Sequence, residues 1–348
     1  CTTNLPDSTI VQGNKYMDAT IYSGNSSTNT ITNAGSFKPD FLWIKCRSTI
    51  NSNSVWDTNR GVLSELFTNN TNAQETLPDG FTAFNSNGFS LDNSGSGGNV
   101  NVSGRTYVAW QWNANNGTTS SNTNGSITST VGVNTTAGFS IVTYTGTGAN
   151  ATVGHGLGVA PKMVIVKRRD SSATPWVIYH TTLGAGNYVA FDTGASSSTT
   201  AWNSTTPTST LISLGANVSV NNSGSTHVAY CFAEIAGFSK FGSYTGNGSA
   251  DGPFIYTGFR PKFILYKSAG SADPWIIFDS VRNTYNFVDA QLRPNETSAE
   301  NSAGSAYSFD FLSNGFKVRS TSTALNNNGG TMIYAAFAEN PFKNSLAR

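Results

Sequence analysis

The chain repeats one motif three times at nearly constant spacing, and this repetition limits its possible folds more than any other feature. The motif is a tyrosine followed by Ser or Thr and then Gly, with a proline 17 residues after the tyrosine and an apolar run after the proline that ends in lysine. A second motif, rich in aromatic and small apolar residues, follows each proline after 71, 69 and 74 residues. The anchors are Tyr22, Pro39 and Trp110, then Tyr144, Pro161 and Tyr230, then Tyr244, Pro261 and Ala335. This recurrence predicts tandem units of about a hundred residues, the common size of a domain.

The repeats divide the chain into five segments. We predict an N-terminal lead-in over 1–13, repeat 1 over 14–116, repeat 2 over 137–235, and repeat 3 with a short C-terminal tail over 236–348. The stretch 117–136, rich in Ser, Thr, Asn and Gly, is predicted to be a linker, with a loosely paired strand as the alternative. Repeats 2 and 3 meet without a spacer. We therefore expect these two to pack against each other and repeat 1 to be freer.

The sequence of each repeat predicts β structure. Val108, Trp110 and Trp112 alternate with other residues at period two, which indicates a half-buried strand. The run 41–44 is apolar throughout and therefore predicts a central strand covered on both faces. Short runs of this kind alternate with Gly- and Asn-rich turns. The pattern predicts an all-β chain of three tandem antiparallel β-sandwich domains, jelly-roll-like, each closing its own hydrophobic interior.

Low and balanced charge excludes several functions. Charged residues make up 11% of the chain and the formal net charge is +1, whereas about a quarter of an average soluble domain is charged. This argues against electrostatic binding of nucleic acid or acidic lipid. Hydrophobic residues at 37% suffice for real cores, and no apolar run approaches the roughly 20 residues of a membrane helix. We expect neither nucleic-acid binding nor membrane insertion.

Two carboxylates recur at one position of the repeat. Asp57 and Asp279 each precede an arginine by three residues, Arg60 and Arg282, whereas repeat 2 has His180 at that position. Paired carboxylates could hydrolyse a glycan. A position that recurs in two copies and is lost in the third instead favours an Asp–Arg pair that stabilises the fold.

The remaining reactive side chains form no recognisable catalytic pattern. The histidines His155, His180 and His227 occupy unrelated positions of the repeat, and no spacing of His, Cys and Asp fits a zinc or haem site. His155 lies in a Gly-flanked turn, where it could contact a ligand or hydrogen-bond to the backbone. No phosphate-binding loop and no nucleophile elbow is present. We expect no cofactor, no metal and no enzymatic activity.

A lysine ends the apolar run in each repeat, at Lys45, Lys167 and Lys267. We expect the alkyl stems to cover apolar surface while the ammonium groups reach water. Cys46 and Cys231 lie inside apolar runs, which predicts buried free thiols. For the N-terminal cysteine, Cys1, two interpretations are open: the lipidated end of a processed lipoprotein, or the boundary of a fragment.

Trp202 is the one residue that we single out as a candidate for binding a receptor or glycan. It lies in the polar stretch 198–204, where an exposed indole could stack on a sugar beside Asn and Ser side chains. The alternative is that Trp202 folds back onto its own sandwich. Trp176 and Trp275 follow a proline at matching positions in two repeats, which favours core residues.

Five stretches resemble a repeat found in virion proteins of tailed bacteriophages, often marine ones. They are Phe37–Lys45, Asp57-x-x-Arg60-Gly61, Asn87–Phe89, Tyr107–Trp110 and the ending from Ala338 to Arg348. The resemblance covers nearly the whole chain, although the function of these units is mostly undefined. Repeat 2 departs most, because it lacks the Asp-x-x-Arg and Asn-Gly-Phe elements.

The resemblance implies a virion structural protein, the C-terminal part of a tail fibre or related appendage that contacts a receptor or glycan on the host surface. Its partners would be other virion proteins, and a symmetric homo-oligomer, a trimer, is expected. Tandem sandwiches would form an extended rod that exposes loops at the ends of the domains.

Two functions from other classes stay open. A polysaccharide-degrading tailspike would need two carboxylates that converge in a groove. A bacterial surface adhesin or lipoprotein would be tethered through Cys1.

Overall fold

The computed structural model describes residues 10, 12–92, 99–191, 194–302, 304 and 307–340, with Ser198 described by its backbone only. The prediction about Cys1 and the end of the chain beyond residue 340 lie outside these residues. Within them the chain is all-β, as predicted; its complete helical elements are one 3-10 turn, Gly13–Lys15, and two four-residue α-helices. None of the helices in this part of the chain is long and apolar enough to cross a membrane.

Repeat 1 contributes nine strands to two antiparallel sheets. They are β1 (Met17–Ser23), β2 (Asn29–Thr32), β3 (Phe41–Cys46), β4 (Asn53–Asp57), β5 (Ser64–Phe67), β6 (Glu75–Thr76), β7 (Phe81–Asn85), β8 (Gly88–Leu91) and β9 (Thr106–Trp112). The large sheet has the order β1-β9-β3-β4-β5-β6, and the small sheet has the order β2-β8-β7.

Repeat 2 has the same plan, with two extra strands before it. Its elements are β10 (Ser120–Asn122), β11 (Ser129–Asn134), β12 (Phe139–Thr145), β13 (Ala151–Gly154), β14 (Met163–Arg168), β15 (Val177–His180), β16 (Asn187–Ala190), β17 (Ser197–Ser198), β18 (Leu211–Leu214), α1 (Val218–Asn221) and β19 (Thr226–Phe232). The large sheet has the order β10-β11-β12-β19-β14-β15-β16-β17, and β13 pairs with β18. The stretch 117–136 therefore adds two strands to this sheet, as in the alternative of a loosely paired strand and not as a linker.

Repeat 3 follows the plan again. Its elements are β20 (Ser239–Thr245), β21 (Phe254–Tyr256), β22 (Pro261–Ser268), β23 (Ile276–Asp279), β24 (Ala290–Gln291), β25 (Asn301–Ser302), β26 (Phe309–Leu312), β27 (Gly315–Val318), α2 (Thr323–Asn326) and β28 (Thr331–Ala338). The sheets are β20-β28-β22-β23, β21-β27-β26 and β24-β25. In all three repeats the closing strand lies between the first strand and the strand that follows the proline.

In each repeat, one face of the large sheet packs on the small sheet to form a sandwich. In repeat 1, Leu42 and Trp56 of the large sheet share one buried cluster with Phe89 of the small sheet. In repeat 3, Phe278 and Phe309 approach edge to face, with ring centroids 5.1 Å apart. The β-sandwich architecture predicted from the alternating strands is therefore present.

The opposite faces of the three large sheets pack against one another in a single shared core. Phe41 of repeat 1 lies 4.5 Å from Tyr230 of repeat 2, and Trp112 lies 5.5 Å from Phe337 of repeat 3, between ring centroids. Phe232 of repeat 2 and Phe337 of repeat 3 are also in contact, with ring centroids 5.9 Å apart. A void of about 20 Å³ at the centre is lined by side chains from all three repeats.

The shared core corrects two expectations and adds to a third. The repeats are not strung out as a rod, and repeat 1 is not freer than the others. Repeats 1 and 2 keep buried clusters of their own, as expected, but a second core joins all three repeats. The physical reason lies in strands such as 41–46, which are buried along their whole length. One face of such a strand fills its own sandwich, and the other stays apolar until a second sheet covers it.

A cycle of equivalent hydrogen bonds joins the repeats at their edges. The backbone N–H groups of Gln74, Ser196 and Glu300, which hold equivalent positions, donate to the carbonyl groups two residues beyond the repeat lysines. The pairs are Gln74 to Arg169 at 2.7 Å, Ser196 to Ala269 at 2.8 Å and Glu300 to Arg47 at 2.9 Å. Each repeat donates to the next, and the third returns to the first. We call these three bonds the contact cycle; contacts that close after three steps give a pseudo-three-fold body.

Candidate functional site

The predicted Asp–Arg pairs are confirmed as buried ion pairs. Arg60 pairs with Asp57, and the Arg282 Nε donates to Asp279 Oδ2 at 2.6 Å; all four side chains are fully buried. The backbone N–H groups of Arg60 and Arg282 also donate to the same carboxylates, each at 2.9 Å. Asp57 and Asp279 are thus occupied in packing and do not converge in an open groove.

The same carboxylates also reach a neighbouring repeat. The Tyr230 hydroxyl of repeat 2 donates to Asp57 at 2.7 Å, and the Trp110 indole N–H of repeat 1 donates to Asp279 at 3.0 Å. In repeat 2 the equivalent His180 Nε2 lies 3.2 Å from the Tyr334 carbonyl oxygen of repeat 3. Burial lowers the pKa of His180 to about 4, so the neutral imidazole donates this bond at neutral pH. This position of the repeat therefore links repeat 1 to repeat 2, repeat 2 to repeat 3 and repeat 3 to repeat 1.

A second repeated position makes an equivalent set of links in the opposite direction. The Trp176 indole N–H donates to the Phe67 carbonyl at 2.8 Å, and the Trp275 indole N–H donates to the Ala190 carbonyl at 2.6 Å. Asn53 replaces the tryptophan in repeat 1 and donates to the Arg293 carbonyl at 3.3 Å. Core positions were predicted for both tryptophans, and both are buried. Sequence reasoning missed that they join repeats.

The expectation that the repeat lysines reach water is wrong. Lys45, Lys167 and Lys267 are completely buried. Lys45 donates to the Thr297 carbonyl of repeat 3 at 3.0 Å, and Lys167 donates to the Thr71 carbonyl of repeat 1 at 3.0 Å. Burial lowers the pKa of Lys45 and of Lys167 to about 8. These ammonium groups hold carbonyl oxygens at the borders between repeats, because the neighbouring repeat covers the strand end that an isolated sandwich would expose.

Trp202 is not the exposed platform that binding a sugar would require. Its side chain is 1% exposed and packs edge to face on Tyr179, with ring centroids 5.9 Å apart. It belongs to the interior of repeat 2, together with Ile212 and Leu214. An indole covered on both faces offers a sugar no surface, so the alternative interpretation, in which Trp202 folds back onto its own sandwich, describes the structure.

The histidines and cysteines of the described residues are engaged in the fold. His155 is buried, with its Nε2 3.2 Å from the Thr208 carbonyl oxygen. His227 stacks on Tyr144 at 5.1 Å. Cys46 and Cys231 are buried free thiols, as predicted. Within the described part of the chain, no three His, Cys, Asp or Glu side chains gather in a way that could hold a metal ion.

An open polar cleft of about 800 Å³ lies at the end of the body where the prolines precede their strands. Its walls come mainly from repeat 1 and include Lys15, Tyr16 and Lys38, with Asn134 from repeat 2 and Asn340 from repeat 3. It contains no Asp, Glu or His, so it offers hydrogen bonds and positive charge but no acid–base pair.

One exposed surface breaks the repeat pattern. Ile255 in β21 and Ile31 in β2 each pair with a phenylalanine of the neighbouring strand, which aligns the two strands. In this alignment Phe254 and Tyr256 of repeat 3 correspond to Thr30 and Thr32 of repeat 1. Comparing the repeats position by position would have found this difference in the sequence.

A comparison with known protein families matches one family over residues 12–341. The match spans all three repeats together, in agreement with the shared core. No curated protein matches the sequence. The chain belongs to the family described as "Domain of unknown function (DUF7483)".

Proposed function

We propose that this protein is a structural component of a bacteriophage virion, part of a tail fibre or related appendage, and that it contacts a receptor on the host surface. The observation that carries the proposal is the contact cycle. The side chains that recur in the repeats, including the Asp–Arg pairs and the lysines, pack three sandwiches into one body. What the repeats share is therefore scaffold, and binding falls to surfaces that differ among them.

Physical features of the body support an extracellular structural role. The repeats are joined by buried ion pairs, indole hydrogen bonds and a shared aromatic core rather than by flexible linkers. Buried backbone and side-chain polar groups with partners resist local opening, which is the step that exposes a chain to proteases. Other virion proteins would be its partners, as the resemblance of the repeat to tailed-phage proteins implies.

Two measurements test the proposal. Mass spectrometry of purified virions from the phage that encodes the chain should detect its peptides in proportion to known structural proteins. The recombinant protein should bind host cells and slow adsorption of that phage, whereas an unrelated β-sandwich of equal mass should do neither. Absence from the virion contradicts the proposal. Release of reducing ends from host polysaccharide would favour the tailspike, and a diacylglyceryl thioether on Cys1 would favour the lipoprotein.

The homotrimer stays a prediction. The chain already packs three sandwiches around one core, so the apolar faces of its large sheets require no second chain. Sedimentation analysis decides the point: a particle of three times 36.8 kDa confirms the trimer, and a particle of 36.8 kDa contradicts it.

A further inference from the structure

The outward face of the small sheet in repeat 3 collects exposed aromatic side chains. On the edge strand β21, Phe254 is 46% exposed and Tyr256 is 48% exposed, whereas Ile255 between them is buried. Alternation along a strand places the two rings on the same face, away from the sandwich interior.

The other repeats show that the scaffold does not require these aromatics. Repeat 1 has Thr30 and Thr32 at the two positions, both exposed. Repeat 2 has Thr152 and Gly154, and there the segment before β11 covers the face: Ser126 N–H donates to the Thr152 hydroxyl at 2.9 Å. Three copies of one fold thus form an internal comparison, in which only repeat 3 carries exposed rings on this face.

An insertion in repeat 3 brings two more aromatics to the same sheet. Leu292 lies ten positions after Arg282, whereas the equivalent Leu66 lies six positions after Arg60. The additional residues include Tyr285, 83% exposed, and Phe287, 48% exposed. In the described part of the chain, the exposed aromatic side chains are four: Phe254, Tyr256, Tyr285 and Phe287.

Hydrogen bonds fix the insertion to the free edge of the small sheet. Val288 exchanges two backbone hydrogen bonds with Phe309 of β26, at 2.7 and 3.1 Å. The Asn286 carboxamide donates to the Phe311 carbonyl at 3.1 Å and accepts from the Phe311 N–H at 2.9 Å. The sheet is thereby four segments wide, and its two outer segments, which carry the aromatics, lie about 14 Å apart at the usual strand spacing.

Between the two outer segments the sheet carries ion pairs whose charges balance, beside an apolar row. The register places Lys317 and Asp310 in one row and Gly315 and Leu312 in the next. Lys317 pairs with Asp251 at 2.8 Å. Arg319, which follows on the same side of β27, pairs with Asp310 at 2.5 Å. Two cations and two carboxylates leave no net charge, and each cation keeps N–H donors beyond those used in its ion pair.

We propose that this face, bounded by Phe254 and Tyr256 on one side and Tyr285 and Phe287 on the other, binds a neutral oligosaccharide. The C–H faces of sugar rings would stack on the aromatic rings, and the hydroxyl groups would hydrogen-bond to the paired charges between the two outer segments. Balanced charge gives no advantage to an acidic glycan. The inference rests on the proposed function and names the surface and the ligand class through which the protein would contact its host.

The test uses the full chain and a panel of immobilised neutral oligosaccharides (glucans, mannans, galactans) beside acidic ones (uronic acid and sulfated polymers). The double variant Phe254→Thr/Tyr256→Thr installs the residues of repeat 1, so the edge strand keeps a sequence that this scaffold already tolerates. Val159→Thr, which alters a side chain of similar exposure in repeat 2, is the matched control. Unfolding curves of both variants should coincide with that of the wild type.

Wild type and Val159→Thr should bind at least one neutral oligosaccharide. The affinity of the double variant for it should fall by at least about tenfold, since each aromatic contact contributes several-fold to affinity. Unchanged affinity in a folded double variant overturns the inference, as does binding to acidic glycans alone. Concentration-dependent dimerisation that the double variant abolishes also overturns it, because the face would then bind a second copy. If the wild type binds host cells but no neutral glycan, this site is wrong while the proposed function stands; if it binds no host cells, the proposed function itself fails.

Discussion

Removing Asp57 should destabilise the protein more than removing its counterpart Asp279. Asp57→Ala leaves the Arg60 guanidinium fully buried without its carboxylate, and it deprives the Tyr230 hydroxyl of its 2.7 Å acceptor. An uncompensated buried charge of this kind costs about 3–5 kcal/mol. Asp279→Ala leaves Arg282 with a second carboxylate, since its Nη1 donates to Glu300 at 2.9 Å. We therefore expect a smaller loss of about 1–3 kcal/mol.

Glu300 is suited to this role by its own surroundings. Burial acts to raise its pKa, but hydrogen bonds and charge from Arg47 and Arg282 outweigh burial and lower the pKa of Glu300 below its ordinary value. The carboxylate is therefore ionised at neutral pH and remains so when Asp279 is absent.

Equilibrium unfolding in urea at pH 7 measures both losses. The double variant Asp57→His/Arg60→Leu is the control, because it installs the pair that repeat 2 carries naturally at His180 and Leu183. It removes both charges together and should cost less than Asp57→Ala alone. Equal losses for the two alanine variants, or a loss below about 1 kcal/mol for Asp57→Ala, would refute the view that these pairs hold the repeats together.

Four further predictions follow from burial and from the shared core. His180 has a pKa of about 4 in the folded protein against an ordinary 6.5, so between these pH values it is neutral when folded and charged when unfolded. The unfolding free energy should therefore fall as the pH drops from 6.5 to 4, by about 3 kcal/mol more for the wild type than for His180→Gln. Equal slopes of unfolding free energy against pH for the two proteins would contradict this. Trp202→Ala should cost about 3–5 kcal/mol in unfolding free energy and leave glycan binding by the folded protein unchanged; reduced binding with unchanged stability would restore Trp202 as a binding residue. Cys46 and Cys231 should resist alkylation in the native protein and react after unfolding, as peptide mapping by mass spectrometry would show; rapid native labelling would mean that these strands open. Residues 14–116 expressed alone should aggregate or bind hydrophobic dyes, since one face of their large sheet would be exposed to water. A soluble monomer with a cooperative unfolding transition would disprove the need for a shared core.

Much of the fold was predictable because its signals are local. Alternation in 106–112, the uniformly apolar run 41–46 and the constant spacing of the prolines predicted strands, sheets and three copies of one topology. The Asp–Arg pairs were also predictable, since three residues separate the partners and a turn brings them together. Each of these inferences depends on neighbours in the chain or on comparison of one repeat with another.

The sequence by itself therefore determined the β-sandwich plan, its triplication, the buried thiols and the ion pairs that stabilise the repeated turn. Only the tertiary structure decided that the repeats share a core, that the lysines are buried, that Trp202 is interior and that four exposed aromatics flank the small sheet of repeat 3. The reason is that an apolar strand face shows that it must be covered but not by which partner, and contacts such as Asp57 with Tyr230 join residues that lie far apart in the chain.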